Sequence, residues 1–196
     1  MTEGPLLWFL NRSTGLVALV LLTAATVLGV LALGGRPGTR VPRFVVQSVH
    51  RNVALLAVVT VAVHVLSSVV DEFVDIRWWH ALVPFTGDHE RVWLGLGAVA
   101  VDLLLVVTVT SLLRHRMRRR TWHALHLSVY PLWLTSILHG AGMGTDLGAG
   151  LWWVTLCCAA AVAAAVAWRL VRASKTEDDP TDPVRDGMTM PLRRSP

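Results

Sequence analysis

A chain of 196 residues that is 54% hydrophobic and only 16% charged is too apolar, and too unevenly charged, for an ordinary soluble domain. Its formal net charge of +5 would suit nucleic acid, but the cations sit between long apolar blocks, so membrane orientation accounts for them and nucleic acid is excluded as a partner. Cys157 and Cys158 are adjacent within an alanine-rich apolar run, which rules out a disulfide framework and reads as small buried hydrophobes.

Apolar runs such as Leu16 to Leu33 and Leu94 to Leu113 approach the roughly 20 residues that cross a ~30 Å hydrocarbon core. The first block is too long for the apolar region of a cleavable signal peptide, and no basic segment precedes it. In chain order the pattern predicts helices at 7–33, 45–70, 92–113, 122–141 and 150–172. Gly34-Gly35-Arg36-Pro37-Gly38 ends the first. A loop with Pro84, Gly87 and Asp88 follows the second, and Gly140, Gly142, Gly144, Gly148 and Gly150 surround the last turn. The expected architecture is an all-α integral membrane protein, a bundle of about five transmembrane helices in the cell membrane. Residues 1–174 form the transmembrane domain, and Lys175 to Pro196, with four prolines and no apolar period, is expected to be a disordered tail.

Loop charges predict orientation. Arg36, Arg40, Arg43 and Arg51 flank the first connection; Arg114, Arg116, Arg118, Arg119 and Arg120 make the third; Arg169, Arg172 and Lys175 follow the fifth helix. The alternate connections and the N-terminal flank hold Glu3, Asp71, Glu72, Asp75, Asp88, Glu90 and Asp146, with only Arg12, Arg77 and Arg91 as cations. The N-terminus is therefore expected outside and the C-terminus in the cytoplasm.

Four histidines carry the chemistry. His50 and His64 lie fourteen positions apart on the second predicted helix, and His126 and His139 thirteen apart on the fourth. Ionisable residues inside a span are costly and mark function by default. Neutral imidazole is the commonest side-chain metal ligand, and two imidazoles can fill both axial positions of a haem iron. Fourteen residues of helix rise about 21 Å. The second and fourth spans run in the same direction, so His50 shares a level with His126 and His64 with His139. Two stacked bis-histidine haems follow. The phase is less tidy on the fourth helix, where thirteen positions leave His139 roughly 140° from His126 on a straight helix. Pro131, lying between them, can kink or unwind it, and His123 stays open as an alternative inner ligand.

The paired spacings, Trp122-His123-Ala124-Leu125-His126 followed by Tyr130, and Trp8 with Arg12 and Gly15 opening the first helix resemble the ferric reductase-like transmembrane domain family. That family includes the membrane cores of NADPH oxidases and ferric reductases, and the bacterial haem-binding subunit serving a periplasmic methionine sulfoxide reductase. The resemblance covers roughly residues 8–141. It implies haem b held by His50 with His126 and by His64 with His139, and electrons moving outward. Larger members carry a flavin and nicotinamide domain, whereas the 22 residues from Lys175 hold no Gly-rich dinucleotide fingerprint. The expectation is a membrane subunit of an oxidoreductase, fed by a separate donor (quinol or a flavoprotein) and emptied by an outer acceptor.

Arg51 and Arg120 are candidates to pair with inner haem propionates, against a purely orienting role. Asp102, mid-span on the third helix, suits either a proton path or a structural hydrogen bond. His80, Asp88, His89 and Glu90 share the outer loop with Trp78 and Trp79; they could bind a metal ion or the acceptor protein, but read better as a solvated loop with an interfacial aromatic belt. His115 reads as exposed to the cytoplasm. Two rival readings remain: a single-haem, quinol-linked subunit, and a non-haem metal transporter or membrane scaffold.

Overall fold

The computed structural model describes residues 4–33, 42–70, 77–87, 90–144 and 148–177. Glu3, Arg36, Arg40, Asp71, Glu72, Asp75, Asp88, His89, Asp146 and the tail from 178 onward lie outside the described residues. Six α-helices follow in order: α1 (Gly4–Leu33), α2 (Arg43–Val70), α3 (Arg91–Leu112), α4 (Arg119–His126), α5 (Val129–Met143) and α6 (Gly148–Glu177). Short 3-10 turns at Trp78–Ala81 and Arg114–Arg116 complete the described elements. Helix is the expected outcome for chains in lipid, because it satisfies every backbone N–H and C=O within one segment.

Four of these helices, α1, α2, α3 and α6, are long and apolar enough to cross a membrane. The fourth expected span is broken. α4 ends at His126 and α5 begins at Val129, joined through Leu127 and Ser128. The cause is Pro131, which has no N–H to give the carbonyl four residues earlier, that of Leu127, and whose ring crowds that carbonyl. The chain tightens there into shorter-range bonds, Ser128 N–H to Leu125 O at 3.1 Å and Tyr130 N–H to Leu127 O at 3.1 Å, before Leu132 N–H returns to Ser128 O at 3.0 Å. At 15 residues α5 alone is short of a full crossing, and α4 supplies the remainder.

α1 is the hub. It packs against α2, α5 and α6, while α3 packs against α5. Its apolar window is 39% buried, against at most 22% for the other three long helices. Ala18, Leu19, Leu22 and Ala25 are buried along it at helical spacing, with small residues admitting the neighbouring backbones. Leu22, Ala57, Ala100 and Leu132 make one buried cluster joining α1, α2, α3 and α5. Leu19, Ile137 and Cys158 make a second that fastens α6, with Cys157 exposed beside it. Buried hydroxyls return to their own helix: Thr23 Oγ1 donates to Leu19 O and Thr26 Oγ1 to Leu22 O, each at 2.8 Å.

Thr23 does a second job, accepting the indole N–H of Trp133 at 2.9 Å and so tying α5 to α1. Thr23→Val should leave that indole donor unpaired at a cost of about 1–3 kcal/mol. Thermal unfolding in detergent will measure it, and the double variant with Trp133→Phe should cost less than the two single losses combined.

Candidate functional site

The two expected histidine pairs meet. The ring centres of His50 and His126 are 6.4 Å apart with planes at 74°, and those of His64 and His139 are 6.2 Å apart at 75°. The break between α4 and α5 makes this possible, because it resets the helical phase between His126 and His139 that a straight helix would spoil. His126, rather than His123, is the α4 histidine across from His50; His123 is exposed. One pair lies at the N-terminal end of the bundle. The other lies at the basic end, with Arg51 and Arg120 exposed near it.

Three of the four rings are seated alike. His64 Nδ1 is 3.0 Å from Asn11 O, His50 Nδ1 is 2.9 Å from Ala25 O, and His139 Nδ1 is 2.8 Å from Trp93 O. A carbonyl can only accept, so Nδ1 carries the proton in each bond, and the lone pair of the neutral ring is left on Nε2. This is the arrangement that orients metal-binding imidazoles elsewhere.

Each accepting carbonyl is followed four residues later by a glycine that lies beneath the ring. A Cβ at Gly15 would stand 3.0 Å from His64 Cε1, one at Gly97 only 2.7 Å from His139 Cε1, and one at Gly29 3.5 Å from His50 Cε1. The ring lies over a bare Cα and reaches one turn back along the same helix. On α1 the two stations are fourteen residues apart, matching the spacing of His50 and His64 on antiparallel α2.

His126 is different. Among the described residues its buried Nδ1 has no partner, nor has Trp122 Nε1, and the Trp122 ring stacks on the imidazole with centres 5.0 Å apart at 19°.

The N-terminal pair opens on a cleft between α1, α2, α3 and α5. Leu22, Leu104 and Leu132 line its inner part, and Asn11, Arg12 and His80 line its mouth. Asn11 Nδ2 donates to His64 O at 3.1 Å and also meets the Ser68 hydroxyl. Arg12 donates to Met143 O at 2.7 Å, which fixes its guanidinium between α1 and the end of α5. His80 Nδ1 accepts from Arg77 N–H at 3.3 Å, so a neutral His80 ring carries its proton on Nε2, the opposite tautomer to the paired histidines. Its loop is held by Arg91 Nε donating to Phe85 O at 2.6 Å. Phe85 itself adopts a positive φ of 64° and covers Gly95.

Sequence reasoning did not pick out Asn11, Ala25, Gly29, Trp93 or Gly97 as site residues; it used Gly15 only as a mark of resemblance, and Arg12 as that and as a loop charge. The fourteen-residue interval between Gly15 and Gly29 was a readable signal; the backbone carbonyls left none. Asp102 lies midway along α3, partly buried and without a hydrogen bond among the described residues, and is not part of either pair. Trp78 and Trp79 stack edge to face at 5.7 Å, with Trp78 exposed, and His115 is exposed at the basic end.

These pairs suit a particular kind of metal. A metal–imidazole bond of about 2.0–2.1 Å, with a ring centre about 1.1 Å behind its Nε2, puts two trans imidazoles roughly 6.3 Å apart, centre to centre. Both observed separations match that value. Among the described residues no group of three or more His, Cys, Asp or Glu could hold an ion, so a site closed by protein ligands alone, of the zinc type, is not formed there. Two axial donors beside an apolar cleft fit an ion whose equatorial ligands come from a macrocycle.

Searches of curated proteins and of solved structures find no match. Residues 14–137, well over half the chain, match the ferric reductase like transmembrane component family. That stretch contains Gly15, Gly29, His50, His64, Gly97 and His126, and stops just short of His139. The chain is therefore a member of the ferric reductase-like transmembrane family, an integral membrane protein of a kind that typically contains haem and transfers electrons.

Proposed function

We propose that the protein is a transmembrane b-type cytochrome relaying electrons through two stacked haems. His50 and His126 would hold one, and His64 and His139 the other. The observation that carries this reading is the pair of imidazole separations, each set at the span of two axial ligands on one ion. Bound haem would supply reversible one-electron storage at the iron, and the chain would fix its ligands, its surroundings and its level in the membrane.

The residues would act as follows. The Nδ1–H bonds to Asn11 O, Ala25 O and Trp93 O hold three rings in the tautomer that presents Nε2. The buried cluster of Leu22, Ala57, Ala100 and Leu132 lies halfway between the levels: Ala57 is seven residues from both His50 and His64, and Leu22 seven from both Gly15 and Gly29. It would keep water and protons out of the space that electrons cross. Arg12 and His80 on the cleft, and Arg51 and Arg120 near the basic-end pair, are cations and donors available to propionates.

The loop charges support placing the basic end in the cytoplasm, where a quinol or a flavoprotein would donate. The acceptor would then approach the mouth lined by Arg12 and His80 from outside. In this reading residues 1–174 are the haem-binding domain, with the segment beyond them a cytoplasmic tail.

Wild-type protein expressed with ample haem should contain about two haems per chain by pyridine haemochrome assay, an expectation that follows from two axial pairs. His64→Leu and His139→Leu should each lower that to about one, and His50→Leu should remove the other. A colourless wild-type protein would sink the cytochrome reading in favour of a scaffold or transporter.

Ring planes near 75° within each pair predict a strongly anisotropic low-spin ferric signal in low-temperature electron paramagnetic resonance, rather than the rhombic signal of parallel rings.

Gly97→Ala should displace His139 and lower haem retention at its centre by about 10–100-fold in affinity, the range seen when a ligand's supporting contact is lost. Gly29→Ala, whose Cβ would meet His50 only at ordinary contact distance, should retain haem. Haem titration of the two apo-proteins compares them directly.

A further inference from the structure

Three histidines share one seat: a backbone carbonyl for Nδ1–H and, four residues on, a glycine beneath the ring. On α1 the two seats are fourteen residues apart, at Gly15 and Gly29. Gly97 provides the seat on α3, and fourteen residues further along α3 brings the chain back to within about 40° of the same face, about 21 Å toward the basic end. The residue there is Ser111, with Val107 four residues before it. A side chain stands where the other seats are bare, and the histidine at that level, His126, has a buried Nδ1 with no partner.

The segment bearing His126 is also the least anchored of the ligand-bearing pieces. α4 is 8 residues long, ends at His126 itself, and is cut from α5 by the Pro131 break. What holds the ring is the stacked Trp122 indole, which restrains its plane but gives its N–H no acceptor.

We infer that His126 is the displaceable ligand of the four, so that the basic-end centre takes a small uncharged ligand on its α4 side while the N-terminal-end centre does not. The class of ligand is a diatomic π-acceptor for the reduced state or a free nitrogen base for the oxidised state. The inference rests on the two-haem reading. Its physical basis is that an imidazole whose Nδ1–H bonds to a carbonyl is oriented and made more basic at Nε2. Loss of such a partner typically weakens metal binding by about 10–100-fold. His126 lacks that support by construction, whereas His50, His64 and His139 have it.

The probe is carbon monoxide added to the dithionite-reduced full-length protein in detergent, with haem counted per chain on the same sample. About half of the Soret absorbance should shift, corresponding to one haem of two. Ser111→Gly clears the fourth seat in the last turn of α3, where a glycine disturbs the helix little. It should let the ring reach Val107 O, displacing the Thr110 hydroxyl that lies 3.2 Å from that carbonyl and keeps Val106 O at 2.6 Å as its other acceptor, and weaken carbon monoxide binding by about 10-fold or more. Trp122→Leu should strengthen it, and His64→Leu/His139→Leu should keep the reactive haem while losing the inert one.

Two haems per chain that both react, or both resist, would overturn the inference and leave the cytochrome reading intact. So would a Ser111→Gly protein with two haems and unchanged carbon monoxide affinity. Fewer than two haems in the wild type would instead remove the two-haem reading on which the inference stands. Should the double histidine variant fail to fold, the Ser111→Gly titration still decides the matter.

Discussion

The bond from an imidazole Nδ1–H to a carbonyl of a neighbouring transmembrane helix is the contact on which the site depends. In lipid, an unsatisfied N–H is expensive, so a histidine on a span is strongly stabilised by an acceptor, which three of the four have. Here the acceptor is a carbonyl already engaged within its own helix, which has a second lone pair to offer. Reaching it requires the ring to come within contact of the helix backbone, which leaves no easy room for a Cβ at Gly15 or Gly97 and only ordinary contact distance for one at Gly29. Gly15 and Gly97 are thus part of the donor arrangement, although neither has a functional group.

The same requirement explains why α1 is the most buried of the long helices. It seats both histidines of α2, and the close approach at Gly15 and Gly29 draws the two backbones together along their length. Between these approaches, Leu22 and Ala57 fill the space with side chains that have nothing to hydrate. The result is a bundle with polar chemistry at two depths and a dry layer between them. Such a layer suits electrons, which can cross an apolar gap that ions and water cannot.

Helix continuity was sacrificed where the site needed it. A straight helix through 119–143 would carry His126 and His139 on faces too far apart for both to meet α2. Pro131 breaks the ladder at Leu127 and re-aims the two halves, so each histidine finds its partner. The break also leaves α4 short, and His126 on it is the one of the four rings without the carbonyl contact that the other three possess among the described residues. The asymmetry between the two ends of the molecule therefore has a local cause.

Much was legible in the chain itself. The apolar blocks set the approximate limits of the four long helices, because membrane thickness fixes segment length, while the fourth expected span proved to be two helices. The four histidines stood out because ionisable groups are rare in such blocks. Their spacing of fourteen and thirteen gave two levels, because helical rise is invariant. Tertiary structure decided the rest. It resolved the phase conflict on the fourth span by a break that begins at Leu127, four residues ahead of Pro131, and it set His126 rather than His123 across from His50. It also supplied the carbonyls of Asn11, Ala25 and Trp93 as partners. Every residue has such a carbonyl, so nothing in the amino-acid order distinguishes those three until the helices are packed against one another.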